Sequence, residues 1–367
     1  MSIETQNIES ERVLPVVGSQ LGIWLADQIS PLKNGYIVAH YAELQGALDV
    51  DCLRRAIRLG LSEADTLHAR FLETDAGLVQ QLPIYMDAAD LPDAEYLDLS
   101  ANVDPVASAL ALMQADLAEA QPADSGQMLY RHILFKVAAF EGERWFWYQR
   151  YHHISVDGYS FSALTQRIAA IYSRLQQGQP LTPSPFVSFE RVVDEYSAYQ
   201  ASALCQRDKA FWYQYVADLA LPVSLSMQNT RSFANTGVLR QRVPLQLGAE
   251  YGVSVPELLM TGLFIYLYKM TGSARPVVGV PMMRRMGSVA LHATGPVVNV
   301  LPLQLQISSE LSLLELAKQL ALELKLLRMH QRYDAEQIQR DMGLVGQSRA
   351  LYGPTINLKI YEQSLLL

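Results

Sequence analysis

One octapeptide gathers the reactive side chains of this chain: Tyr151-His152-His153-Ile154-Ser155-Val156-Asp157-Gly158. An imidazole has a reference pKa of about 6.5, so a histidine here could take up or return a proton near neutral pH. The Asp157 carboxylate, four residues beyond His153, could lock the turn by pairing with an arginine. Gly158 admits a backbone geometry and a close approach that a side chain would block. Two histidines by themselves serve packing and hydrogen bonding more often than catalysis. The full string His-His-x-x-x-Asp-Gly is far rarer in a chain of this composition, and it reads as an active site.

The elements around it explain how such residues would be held. Residues 144–153 alternate as a strand, with Trp145, Trp147, Gln149, Tyr151 and His153 on one face and Phe146, Tyr148, Arg150 and His152 on the other. The two histidines therefore point apart and do not form a shared metal site, which needs convergent ligands. Trp145 and Trp147 read as core. After Gly158, apolar residues at Phe161, Leu164, Ile168, Ile171 and Leu175 mark a helix, so the octapeptide ends a strand and starts a helix. A strand at 128–137 precedes it.

Upstream, a strand is expected at 36–45, a helix at 50–61 and a helix at 105–120 capped by Asp104. Pro180, Pro183 and Pro185 then interrupt the pattern, which places a boundary between residues 1–182 and 183–367. Beyond it come helical sequence at 189–220, a strand at 238–245, a helix at 256–270, strands at 276–282 and 297–307, a helix at 313–329 and a strand at 355–361. The class is α/β (α+β). Lys325, Arg328, His330 and Arg332 read as a solvated face near a helix end, and Met282, Met283 and Met286 as adaptable packing.

The chain has 367 residues, half of them hydrophobic and 18% charged, which excludes disorder and low-complexity structure. A net charge of −8 argues against nucleic acid as the main partner. Two cysteines, Cys52 and Cys205, give no disulfide framework and suit a reducing compartment. The longest apolar stretch, 258–270, is too short to cross a membrane, and residues 1–12 lack the features of a secretory signal. A soluble, cytoplasmic protein with no membrane partner is expected.

The octapeptide resembles the HHxxxDG signature of nonribosomal peptide synthetase condensation domains, of the chloramphenicol-acetyltransferase-like superfamily. Other segments resemble the family in order and spacing: Ser19-Gln20-Leu21-Gly22-Ile23-Trp24, residues 63–71, Thr294-Gly295-Pro296-Val297-Val298-Asn299, and His330-Gln331-Arg332-Tyr333-Asp334. The resemblance implies two acetyltransferase-like lobes in a V with a tunnel between them. It makes His153 the catalytic histidine, His152 its structural neighbour and Asp157 the organising carboxylate beside Gly158. The family's arginine lies six residues after a glycine, which selects Arg285 after Gly279, with Arg284 as fallback. Asn357 resembles a tunnel-lining asparagine.

The activity so implied is amide formation between two thioesters, here a 2,3-dihydroxybenzoyl donor and a seryl acceptor, in siderophore biosynthesis. No cofactor is bound directly; phosphopantetheine arms come from an aryl or acyl carrier protein as donor and a peptidyl carrier domain as acceptor, with adenylation modules of the same pathway as further partners. Against the family pattern, the chain looks shortened between Val243 and Ser254 and stops soon after Asn357. The second lobe is accordingly expected to be C-terminally truncated, and an inactive remnant that at most docks carriers is the alternative. A soluble acyl-CoA transferase fits less well, because simpler relatives show HxxxDG alone. Heterocyclising domains replace the first histidine, which His152 contradicts; epimerisation domains share the pair.

Overall fold

The aromatic run at 144–152 becomes a central strand in the computed structural model, which describes residues 11–30, 34–138, 142–225, 241, 252–345 and 350–359. In chain order the described elements begin with β1 (Glu11–Pro15), α1 (Gly18–Ile29), β2 (Ile37–Gln45), α2 (Val50–Ser62), β3 (Arg70–Thr74) and β4 (Gly77–Pro83). There follow β5 (Glu95–Asp98), α3 (Pro105–Ala118), β6 (Tyr130–Ala138), β7 (Arg144–His152) and α4 (Gly158–Gln176). The remainder are α5 (Glu190–Gln200), α6 (Ala203–Ala217), α7 (Val255–Thr271), β8 (Val277–Met282), β9 (Asn299–Gln304), α8 (Leu313–Met329) and α9 (Ala335–Asp341). Among the described residues no helix is long and apolar enough to cross a membrane.

By internal contacts the described residues divide into two units: those up to Ala198 together with Arg285–Val297, and Tyr199–Arg284 together with 298–359. The division falls at 198, where the proline-rich stretch had suggested 182. The reason is apolar: Phe189, Val192 and Val193 are buried in one cluster with Val17, Trp24, Phe71, Ile154, Ala290, Ala293 and Val297.

In the first unit, β2-β7-β6-β5 form one sheet and β1-β4-β3 another. β7 pairs antiparallel with both β2 and β6, while β5 runs parallel to β6. Its alternation holds. Trp145, Trp147 and Tyr151 are buried against Leu53, Ile57 and Leu61 of α2 and Leu164, Ile168 and Ile171 of α4. Phe146 and Tyr148 pack on the other face with Ala109 and Met113 of α3. Gly60 lets α2 approach α4 closely, since a Cβ there would lie 2.4 Å from Ile168 Cγ1. Asp49 and Asp104 cap α2 and α3 by accepting from Cys52 N and Ala107 N.

Polar groups inside this sheet are wired in one direction. The Trp147 indole N–H donates to His132 Nδ1 (3.1 Å), which leaves the proton on Nε2 to donate to the Tyr151 hydroxyl (2.8 Å). Tyr151 in turn donates to Gln149 Oε1 (3.3 Å), which also accepts from Thr165 (3.0 Å). Burial, helped by the nearby His40, pushes His132 down to about 3, so the ring is neutral. Trp147, Gln149 and Tyr151 of β7 are thereby tied to His132 of β6 and Thr165 of α4.

In the second unit β8 and β9 pair antiparallel, and Trp212, Phe264, Leu267, Leu301, Leu303, Leu320, Leu324 and Ile338 share one core cluster. The helical sequence at 189–220 is two helices, broken where Ser202 caps α6 by accepting from Cys205 N. Only part of the strand expected at 355–361 is described, and there it is one parallel bridge, Gly279↔Thr355, with Ile356 N donating to Gly279 O (2.9 Å). The strand expected at 238–245 lies outside the described residues apart from Gln241. His330 is not part of a solvated face: it is buried, 2.8 Å from Asp208, with Phe211 stacked on its ring. Met283 and Met286 are exposed, so of the three methionines only Met282 packs in the core.

Candidate active site

β7 delivers its last residue, His152, into the interior, and the chain turns at once. His152 N donates to Leu129 O (2.8 Å) and His153 N to Tyr36 O (2.7 Å), so the backbone is held from both neighbouring segments. Ser155 N donates back to His152 O (3.1 Å), closing the turn. The His152 ring serves this turn as well: its Nδ1 accepts from Ile154 N (3.1 Å), which places the proton on Nε2. Burial, and then the adjacent His153, pull the pKa of His152 down to about 4. A fully buried, neutral ring that accepts from Ile154 N braces the turn it stands in.

His153 lies in the turn rather than in the strand, and it is only partly buried. Its Nδ1 is covered and has no hydrogen-bond partner among the described residues. The same holds for His152 Nε2 and Ser155 Oγ, so three polar atoms within four residues are buried and unengaged. A partly accessible imidazole on a backbone fixed at both ends is suited to take a proton from, or orient, a group brought against it.

Asp157 stands in contrast. It is the N-cap of α4, and its Oδ1 accepts from Tyr159 N (3.1 Å) and Ser160 N (3.0 Å), while Asp157 N donates to Ser160 Oγ (2.9 Å). Its Oδ2 accepts from Arg285 Nη2 (2.8 Å) and from Val297 N (3.1 Å). Both side chains of this ion pair are fully buried. Both carboxylate oxygens are thus engaged, and Asp157 ties the start of α4 to Arg285 and to the backbone at Val297. Gly158 opens α4 and is exposed; it is not among the glycines of positive φ, so close approach is the part of its expected use that this backbone leaves.

The arginine that meets Asp157 is Arg285. Besides Asp157 its guanidinium donates to the carbonyls of Ala290, Ala293 (2.9 Å) and Gly295 (2.8 Å). Arg284, the fallback, takes a left-handed backbone (φ 51°) and pairs with Asp334 at 2.7 Å. The backbone acceptors of 290–297 are a part of the site that residue-type reasoning missed; the Thr294-Gly295-Pro296 motif was the available signal. Gly295 is required there, because a Cβ would fall 2.2 Å from the Phe189 ring. Ser19 donates to Pro296 O (2.7 Å) and the Thr66 and Thr294 hydroxyls meet at 2.9 Å, so motif segments far apart in sequence converge on this strap.

The expected Asn357 and the motif residue Asn299 belong to the second unit. Asn357 is exposed in the stretch that flanks β8. Asn299 is buried, with its amide donating to Gln331 O (3.0 Å) and Tyr333 O (2.7 Å) and its carbonyl accepting from Ala335 N (3.0 Å). It ties the second-lobe motifs to each other.

Residues 10–365 match the model of the condensation domain family. Enterobactin synthase component F of Escherichia coli (strain K12) is 43% identical over 361 residues, covering 96% of this chain and 27% of that protein. Vanchrobactin synthetase VabF of Vibrio anguillarum is 38% identical, covering 96% of this chain and 12% of that protein. The chain thus spans about a quarter of the first relative's length, or less of the second. Among solved structures, the starter condensation domain of rhizomide synthetase RzmA superposes with a TM-score of 0.79 at 31% identity, covering 96% of this chain and 81% of that one. The first condensation domain of the calcium-dependent antibiotic synthetase, in complex with a substrate analogue, gives 0.82 at 28% identity, covering 96% and 82%.

Proposed function

The chain belongs to the condensation domain family, and on that premise we propose that it joins a carrier-bound 2,3-dihydroxybenzoyl thioester to a carrier-bound seryl thioester. The relatives named enterobactin synthase and vanchrobactin synthetase support a siderophore-type product. The seryl amine attacks the donor carbonyl, a C–N bond forms, the C–S bond breaks, and the proton lost from nitrogen ends on the departing thiolate. A thioester is already activated, so the step asks for positioning and for one proton to be managed. An α-amino group has a reference pKa of about 7.7–8.0, which leaves part of it neutral at pH 7.

The observation that carries this reading is the partly exposed His153 ring on a turn clamped by Asp157 and Arg285. In the proposal His153 receives or holds the amine proton, with His152, Asp157, Gly158 and Arg285 shaping the turn around it. Asn357 is proposed as a substrate-lining amide of the second unit. Phosphopantetheine arms of an aryl carrier and a peptidyl carrier domain supply the thioesters, and adenylation modules of the same pathway load them.

The test mixes the protein with an aryl carrier bearing 2,3-dihydroxybenzoate and a peptidyl carrier bearing serine, and follows the amide by mass. Product that is lost in His153→Ala is the expected result. No product from the wild-type chain overturns the enzymatic reading and leaves carrier docking, read by direct binding of the same carriers, as the function.

A further inference from the structure

We propose that Tyr159 is a positioning residue of this site, its ring closing the face of the cage that holds the Arg285 guanidinium on Asp157. The inference deepens the function proposed above and rests on it. A guanidinium is planar and has five N–H donors, all directed near its own plane. Four of the five are accounted for by the carbonyls of Ala290, Ala293 and Gly295 and by Asp157 Oδ2. The fifth, on Nε, is buried without a partner among the described residues. Bonds directed along the donor plane restrain displacement within it more than displacement out of it.

Tyr159 supplies that restraint. Its ring centroid lies 4.7 Å from Arg285 Cζ, where the negative face of the aromatic ring attracts the cation. The ring is itself fixed at both ends. Tyr159 N donates to Asp157 Oδ1 (3.1 Å), and the phenol hydroxyl donates to Leu291 O (3.1 Å), inside the strap that Arg285 binds. One side chain thus links the first turn of α4, the ion pair and the 285–297 strap. Because Arg285 is 1% exposed, the contact is desolvated and therefore strong for its kind.

Two measurements decide this. In the carrier assay, Tyr159→Leu is expected to lower kcat by about tenfold with KM for both carriers unchanged, and Tyr159→Phe, which keeps the ring, to restore most of that rate. A Tyr159→Leu enzyme at wild-type kcat overturns the proposal. So does a Tyr159→Phe enzyme as slow as Tyr159→Leu, which would assign the effect to the hydrogen bond on Leu291. The second measurement is a urea-unfolding cycle on Tyr159→Leu, Arg285→Met and the double variant, with Arg285→Gln, which also removes the cation, in place of Arg285→Met if the latter does not fold. The midpoint shift from losing the ring should shrink by at least about half once Arg285 is gone, and additive shifts overturn the clamp. A wild-type chain that makes no amide defeats the proposed reaction, while the cycle still decides whether Tyr159 acts through Arg285.

Discussion

Within six residues this molecule treats buried polarity in two opposite ways. At Asp157 both carboxylate oxygens and the backbone N–H are engaged, and the arginine opposite spends four of its five donors on named acceptors. From His152 to Ser155, three buried polar atoms have no partner among the described residues. Folded proteins satisfy nearly all such atoms, so a cluster of exceptions calls for a reason. The difference teaches how labour is divided: the clamp engages both Asp157 oxygens and all of the Arg285 donors but Nε, and the turn it supports keeps polar atoms for something other than folding.

The comparison breaks first at the clamp. Asp157→Ala strands a buried guanidinium, and the expected loss is about 3–5 kcal/mol of unfolding free energy by urea titration. A loss under about 1 kcal/mol would mean that the ion pair supports little. His153→Ala is the counterpart on the other side: amide formation should fall by about a hundredfold or more, while stability stays within about 1 kcal/mol of wild type. Comparable losses of stability in both variants would erase the distinction between support and supported.

Acid should sharpen it. His132 and His152 are held neutral by burial, at about 3 and about 4, whereas the unfolded chain protonates them near their ordinary value. The unfolded state therefore binds more protons below pH 6.5, and stability that is complete above that pH is lost as pH falls toward 4. Each ring should contribute a slope of about 1 kcal/mol per pH unit in that window, read from urea midpoints between pH 6.5 and 5. A Gln at 132, made as His132→Gln, should remove its share.

The smallest effects lie at the two serines. Ser155→Ala deletes an unengaged hydroxyl and should be neutral or raise the melting temperature slightly, whereas Ser160→Ala removes half of a capping box and should cost about 1 kcal/mol. Equal losses at both positions would show that the Ser155 hydroxyl has a partner in solution.

Much of this was legible before any coordinates. The alternation of Trp145, Phe146, Trp147 and Tyr148 placed two faces on β7, and the 3.6-residue spacing after Gly158 placed α4. Helix 313–329 was readable to the residue, and in the structure a Ser312/Glu315 capping box fixes its start. Other features were not readable. His330 sits in a basic run, yet Asp208, 122 residues earlier, takes it into the core. The break between α5 and α6 depends on the cap by Ser202, a local competition that periodicity does not register.

By itself the sequence determined which residue types could perform the chemistry and the local frame that holds them, since strand alternation, helix period and capping are properties of near neighbours. The resemblance selected Arg285 from its spacing; tertiary structure decided how it meets Asp157, 128 residues away, that Arg284 goes to Asp334 instead, and that the carbonyls of 290–295 complete the cage. It also decided which polar atoms were left unengaged. Those outcomes depend on backbone groups, common to every residue, and on contacts between distant segments, so no pattern of side-chain types along the chain encodes them.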